Sequence, residues 1–195
     1  MWVLDPIDGT KAFITGKPSW GSLIALLHKG TPILGIIDQP ITQERWIGVQ
    51  DRQTMLNGEL VKARACSDLS KAYMYSTTPL MFSGASEQAY NRLRDQVLSP
   101  QYGADCYAYG LLAAGFVDLV VEADMKPWDY LAMVPIIKGA GGVITDWNDR
   151  KLSWQVDKGG DSITAWSGEV LAAGDRRAHA EALKALDYSL NNPNV

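Results

Sequence analysis

Apolar and polar positions change period several times along the chain, so strand-like and helix-like stretches alternate instead of segregating. Apolar runs at 22–27, 33–37 and 45–49, separated by the turn residues Lys29-Gly30-Thr31-Pro32 and Asp38-Gln39-Pro40, predict consecutive strands of a meander. A shorter strand, Trp2-Val3-Leu4, stops at Asp5-Pro6, and Gly9-Thr10 then breaks the chain into a turn or helix start. Residues 72–77 read as a strand, and 86–97 as a helix with Tyr90, Leu93 and Val97 on one face. A helix at 106–114 closed by Gly115 leads to a strongly apolar strand at 116–122. A helix over 128–138 should kink at Pro135 and end at Gly139. Strands at 143–145 and 163–166 and an Ala-rich helix at 177–186 complete the pattern. No linker, repeat or low-complexity segment interrupts it, which predicts a single domain over 1–195 of layered α/β or α+β architecture.

Composition narrows the chemistry by exclusion. At 47% hydrophobic and 21% charged, the 195 residues suffice for a substantial core. A formal net charge of −4 gives no general attraction for nucleic acid or an anionic membrane, so neither is expected as a partner. The first ten residues lack the basic start and apolar stretch of a signal peptide, and no run approaches the ~20 apolar residues of a membrane span, so the cytoplasm is the expected compartment. Cys66 and Cys106, without CxxC spacing, read as buried or partly buried thiols. His28 and His179 read as surface residues and leave no material for a His-based triad or an HExxH zinc site. The glycine spacing at 16–22 mimics a phosphate loop, but Ser22 follows Gly21 where lysine belongs. Gly139-Ala140-Gly141-Gly142 lacks the last glycine of a dinucleotide fingerprint and follows a helix.

What remains is a set of carboxylates at element ends. In Asp5-Pro6-Ile7-Asp8-Gly9-Thr10 two acids three residues apart can converge if Pro6 turns the backbone, and the Ile7 carbonyl can join them. Hard oxygen ligands of this kind suit magnesium. The backbone N–H groups of Gly9 and Thr10, at a helix start, can hold phosphate oxygens. The plainer reading is that Asp5 and Asp8 cap turns. Asp129, opening a helix after Pro127, is an N-cap or a third metal ligand, and Glu122 ends an apolar strand at the same rim.

Trp2-Val3-Leu4-Asp5-Pro6-Ile7-Asp8-Gly9-Thr10, together with Trp128-Asp129-Tyr130-Leu131-Ala132 and Ala140-Gly141-Gly142, closely resembles the paired signatures of the inositol monophosphatase family. The resemblance implies a layered αβαβα sandwich of the sugar-phosphatase type without its first helices, two or three Mg2+ ions in the intact site, a small phosphate monoester as substrate, and usually a homodimer. By the same resemblance Asp5, the Ile7 carbonyl, Asp8 and Asp129 are metal ligands. Asp8 and Thr10 are catalytic, Gly9 and Thr10 bind phosphate, and the Thr10 hydroxyl orients the attacking water. Glu122 falls where the family contacts the leaving group. The implied reaction is in-line attack by a metal-activated water, without a Cys or His nucleophile.

Family members carry further chain before this point, including a metal-binding Glu that pairs with the threonine. No Glu precedes Asp5 here, which predicts weaker magnesium binding and exposed apolar surface that associates with itself or a partner. A non-catalytic, dimerising relative is the alternative of another class. Gly103-Ala104-Asp105-Cys106-Tyr107-Ala108-Tyr109-Gly110 resembles the histidinol-phosphate phosphatase branch, a step of histidine biosynthesis, with an inositol-1-phosphate or related sugar phosphatase as the alternative. Asp105 and Glu122, with Gly103 and Ala104, are the substrate-binding candidates, an ammonium and imidazole gaining more than neutral hydroxyls from a nearby carboxylate. The plainer reading has Asp105 cap the helix that starts at Cys106.

Overall fold

A computed structural model describes residues 1–157, 162, 164 and 167–191. The meander forms an antiparallel sheet in chain order from β1 (Trp2–Asp8), β2 (Gly21–His28), β3 (Thr31–Gln39), β4 (Glu44–Val49), β5 (Met55–Leu56) and β6 (Glu59–Leu60). Helix α1 (Thr10–Ile14) stands between β1 and β2. The small β5–β6 hairpin turns at Asn57-Gly58, a strong hairpin signal that the hydrophobic pattern alone passes over.

The second sheet is built from β7 (Tyr73–Ser76), β8 (Ser99–Tyr102), β9 (Leu119–Glu122), β10 (Val143–Thr145) and β11 (Val170–Ala173), in the order β10-β11-β9-β7-β8. β7 runs parallel to β8 and β9, and the other pairs are antiparallel. Helices α3 (Tyr107–Ala113) and α5 (Met133–Gly139) fill the space between the sheets, and α2 (Ala85–Arg94) and α6 (Arg176–Leu186) pack together on the far side of the second. The layers of the described residues therefore run sheet, helices, sheet, helices, consistent with the expected layered α/β sandwich.

Strand burial follows from this stacking. Every residue of β9 and β11 is buried, because successive side chains enter different cores. Val120, Val170 and Ala172 join Leu23, Ile37, Trp46 and Tyr109 between the sheets, while Leu119, Val121, Leu171 and Ala173 join Tyr90, Leu93 and Ala182 beyond them. The first sheet is covered on one face only. Its outer face carries two in-register apolar rows, Leu4-Ile24-Ile36-Ile47 and Trp2-Leu26-Leu34-Val49. Trp2 and Leu4 are 58% and 57% exposed, and the other six are half-buried.

The inner face of that sheet admits a helix at unusually short range. Gly35 and Gly48 are register partners on β3 and β4, directly beneath α5. A Cβ at Gly35 would lie 1.9 Å from the Ala132 carbonyl oxygen, and one at Gly48 2.4 Å from the Ile136 nitrogen. Thr54 Oγ1 fastens the helix by donating to the Ile136 carbonyl at 2.6 Å. The single kinked helix expected over 128–138 is instead two, α4 (Pro127–Tyr130) and α5. Pro135 has no N–H to offer the Leu131 carbonyl, so the hydrogen-bond ladder lapses at Leu131–Ala132, four residues before the proline, although both residues keep right-handed helical dihedrals.

Other differences are local. The helix expected to reach Val97 ends at Arg94, the strand expected from Phe116 begins at Leu119, and Phe116 is 67% exposed. β8 and β11 carry no expectation above, and the strand expected at 163–166 lies outside the described residues apart from Thr164. Cys66 and Cys106 are buried thiols, as expected. His28 is exposed, whereas His179 is buried, correcting the surface assignment. It faces inward from α6 beside Ala178 and Ala182, where Nε2 lies 2.9 Å from Thr145 Oγ1 and satisfies a polar group that water cannot reach.

Candidate active site

The end of β1 and the start of α4 meet at one point. β1 pairs regularly with β2 through Asp5, then shifts register before Asp8, which aims the Asp5 and Asp8 carboxylates the same way. Lys126 and Pro127 start α4, and Asp129 at its third position accepts the Lys126 N–H at 2.8 Å, so the residue does cap the helix. It also reaches the other two acids. One oxygen from each of Asp5, Asp8 and Asp129 lies within 4.8 Å of the others. Thr10 Oγ1 donates to the Ile7 carbonyl at 3.2 Å, and the Ile7 N–H donates to Asp5 Oδ1 at 3.1 Å, so the loop between the acids is internally braced.

These groups line a cavity of about 450 Å³. Among the described residues six carboxylates line it, from Asp5, Asp8, Asp105, Glu122, Asp124 and Asp129, and no Lys, Arg or His does, although Lys126 pairs with Asp124 from outside and Lys17 and Lys11 lie near Asp105. Burial is the main force on their protonation. It pushes Asp8 up to about 7 against the hydrogen bonds from Cys106, with Glu122 and Asp105 adding repulsion. It pushes Asp129 up to about 6, helped by Asp5, and Glu122 up to about 7. An isolated phosphate ester would be repelled from such a cavity. Three close oxygen donors, none of them ion-paired among the described residues although Lys126 lies near Asp129, form a donor set for a hard divalent cation, which suits the chemistry of magnesium.

The remaining candidates divide. Asp105 lines the cavity in a left-handed conformation, φ 46°, and packs against Gly9 so closely that a Cβ there would sit 3.0 Å from its carboxyl carbon. It does not cap α3. That helix has Cys106 at its N-cap without a side-chain cap, and the Cys106 N–H goes to Asp8 Oδ2 at 2.7 Å. Glu122 also lines the cavity but is fully enclosed, holding the Thr77 N–H at 3.1 Å, the Thr77 hydroxyl, and the Tyr109 hydroxyl at 3.0 Å. Gly103 and Ala104 lie behind the lining. The Gly103 N–H donates to the Ser76 carbonyl, its own carbonyl accepts from Ser19 at 3.3 Å, and Ala104 is buried. Sequence reasoning missed Thr77, Tyr109 and the Cys106 N–H, which act by position alone. Only the Tyr in the Cys106-Tyr107-Ala108-Tyr109 stretch offered a signal, as a polar residue on the inner face of an apolar helix.

The raised values fix the sign of a pH effect. For Asp8, Asp129 and Glu122 the folded chain binds protons that the unfolded chain has released, so they favour folding fully below about pH 4, and that contribution is lost as pH rises through 6 to 7. His179, held below its ordinary value by burial, opposes this weakly near pH 6. Without metal, the melting temperature should therefore be higher at pH 5.5 than at pH 8, on the order of 5 °C. Saturating magnesium should erase or reverse the difference, because a bound cation favours the ionised acids. Thermal melts at the two pH values with EDTA and with magnesium measure this, and a metal-free chain more stable at pH 8 contradicts it.

The family model described as "Inositol monophosphatase family" matches residues 1–190. The bifunctional phosphatase IMPL2, chloroplastic, of Arabidopsis thaliana is 58% identical over 188 residues, covering 96% of this chain and 54% of its own length. A histidinol-phosphatase of Mycobacterium tuberculosis is 36% identical over 152 residues, covering 74% of this chain and 58% of its own. The chain thus spans little more than half the length of these curated relatives. An inositol monophosphatase structure from Zymomonas mobilis superposes with a TM-score of 0.88 at 46% identity, over 95% of this chain and 69% of that one. On the matched family model and the identity to solved and curated relatives, the chain belongs to the inositol monophosphatase family.

Proposed function

We propose that this chain carries the catalytic centre of a magnesium-dependent hydrolase of small phosphate monoesters, with histidinol phosphate as its substrate ahead of inositol 1-phosphate. The observation that carries the reading is the cavity with six carboxylates, three of them gathered within 4.8 Å, and no cationic side chain in its lining among the described residues. Asp5, Asp8, Asp129 and the Ile7 carbonyl would hold the metal. When bound, magnesium supplies positive charge for the phosphate oxygens and acidifies a water. Thr10 Oγ1, on the Ile7 carbonyl, stands where a hydroxyl can orient a nucleophile. Gly9 gives the phosphate close access to the backbone, since it has no side chain between α1 and Asp105. Cys106 N–H fixes one Asp8 oxygen and leaves the other for metal.

Asp105 supports the substrate choice. Its carboxylate lies on the cavity wall without capping α3, so it is placed to meet a cationic ligand, and a charge-assisted hydrogen bond there contributes ~1.5–3 kcal/mol. The relative named as a histidinol-phosphatase supports the same choice. Phosphate release should favour histidinol phosphate over inositol 1-phosphate, and Asp105→Asn should cut that preference ~10-fold or more through KM. Equal efficiency on the two substrates, or an unaltered preference in the variant, refutes the assignment.

The apolar outer face of the first sheet supports self-association, and we propose a homodimer. Light scattering at rising concentration should report species above monomer mass. The paired variant Trp2→Glu, Leu4→Glu should return it to monomer, whereas a monodisperse wild-type monomer at high concentration removes the proposal.

A further inference from the structure

A second cavity, of about 790 Å³, opens at the C-terminal end of α5 between that helix and the β3–β4 side of the first sheet. Its charge is opposite to that of the catalytic cavity. Arg52, Lys62, Lys138 and Lys151 line it, against a single acid, Asp51. Asp51 Oδ2 already accepts from Gln50 Nε2 at 3.3 Å. None of the four cations takes part in an ion pair found among the described residues, whereas Arg45, Arg64, Lys71, Arg94, Lys126, Arg150, Arg177 and Lys184 each have a carboxylate partner. A chain with a formal net charge of −4 thus gathers four cations against one carboxylate at one concave place.

The crowding has an energetic sign. Surrounding protein and then the charge of Lys151 hold the Lys138 ammonium below its ordinary pKa, so the two lysines repel across the cleft. The C-terminal dipole of α5 relieves this only in part. An anion seated between them reverses the repulsion. Ammonium groups act as point charges for phosphate and the Arg52 guanidinium adds a planar fork. The volume falls within the range of small-molecule sites and exceeds what one orthophosphate fills.

We propose that this cleft is a second anion-binding site, separate from the catalytic cavity, for a small molecule carrying more than one phosphate charge. It does not depend on the substrate assigned above. The two sites are distinguishable without metal, because six carboxylates then line the catalytic cavity, with no lining Lys, Arg or His among the described residues.

Isothermal titration calorimetry of the chain in EDTA with pyrophosphate, and separately with orthophosphate, tests the site. Pyrophosphate should bind, at least 10-fold more tightly than orthophosphate, with affinity falling as salt rises. Lys138→Gln with Lys151→Gln should weaken it at least 10-fold while Lys138→Arg with Lys151→Arg retains it. The control pair Lys71→Gln with Lys184→Gln removes the same charge from paired lysines elsewhere and should change affinity less than 2-fold, as should Asp8→Asn. Absence of pyrophosphate binding overturns the proposal. Equal weakening in the two glutamine pairs, or loss on Asp8→Asn, does so as well. Melting curves of the Lys138/Lys151 variant at or above the wild-type temperature keep misfolding out of the interpretation.

Discussion

Asp8→Asn should do two opposite things, depending on whether magnesium is present. With magnesium, the variant should lose the metal-induced rise in melting temperature and release phosphate at least ~10³-fold more slowly, ~4 kcal/mol in barrier terms. Without magnesium at pH 8, it should melt higher than the wild type. The buried Asp8 acid, pushed up to about 7, is ionised there at a cost that a neutral amide does not carry. The amide oxygen can still accept the Cys106 N–H that Asp8 Oδ2 holds at 2.7 Å. A residue that merely capped the Cys106 turn would show neither signature. If Asp8→Asn melts lower without metal and keeps its magnesium response, the carboxylate is structural and the metal centre must be drawn from other groups. Melting curves at pH 8, with EDTA and with magnesium, give both readings in one experiment.

The parts of this site that were legible in the sequence are those set by chain-local chemistry. Asp5 and Asp8 stand three residues apart, but not around a turn: the strand expected to stop at Asp5-Pro6 runs on through Pro6 to Asp8, and a register shift between the two acids, not a proline turn, brings them to one side. Asp129 was readable as a helix-start acid, but its approach to Asp5 depends on how α4 lies against β1 and β2, which no local pattern specifies. Glu122 shows the same limit from the other side. Its place at a strand end was clear, yet its hydrogen bonds come from Thr77 and Tyr109, 45 and 13 residues away. The meander was legible because its long strands pair with their sequence neighbours through short turns, whereas β8 reaches β7 only after α2 and β11 lies 24 residues beyond β10, residues 146–169. β8, Ser-Pro-Gln-Tyr, carries no apolar alternation, as befits an edge strand. His179 misled for a comparable reason. A histidine in a polar helix looks solvated until the packing of α6 against the second sheet decides which face is inward.

The position of Asp129 is in turn set by a contact that reads in the sequence only as two weak points in strands. Gly35 and Gly48 lack side chains where α5 lies on the sheet, and α5 follows directly from the helix that carries Asp129. In an ordinary strand, Gly→Ala stabilises by ~0.5–1 kcal/mol through backbone entropy. Here the new methyl at Gly35 would stand 1.9 Å from the Ala132 carbonyl oxygen, backbone that no rotamer change can clear. The helix must lift, and overpacking of this kind costs up to ~3 kcal/mol or more. Gly35→Ala should therefore lower the melting temperature by ~6–12 °C without metal. Because Ala132 lies between α4 and α5, the displacement should reach Asp129 and weaken magnesium binding, seen as a higher magnesium midpoint in the thermal-shift titration. A stabilised variant would show that the helix does not rest on the sheet at this distance. A destabilised variant with an unchanged magnesium midpoint would separate the two helices mechanically, and the close approach would then serve the core without positioning the metal ligand.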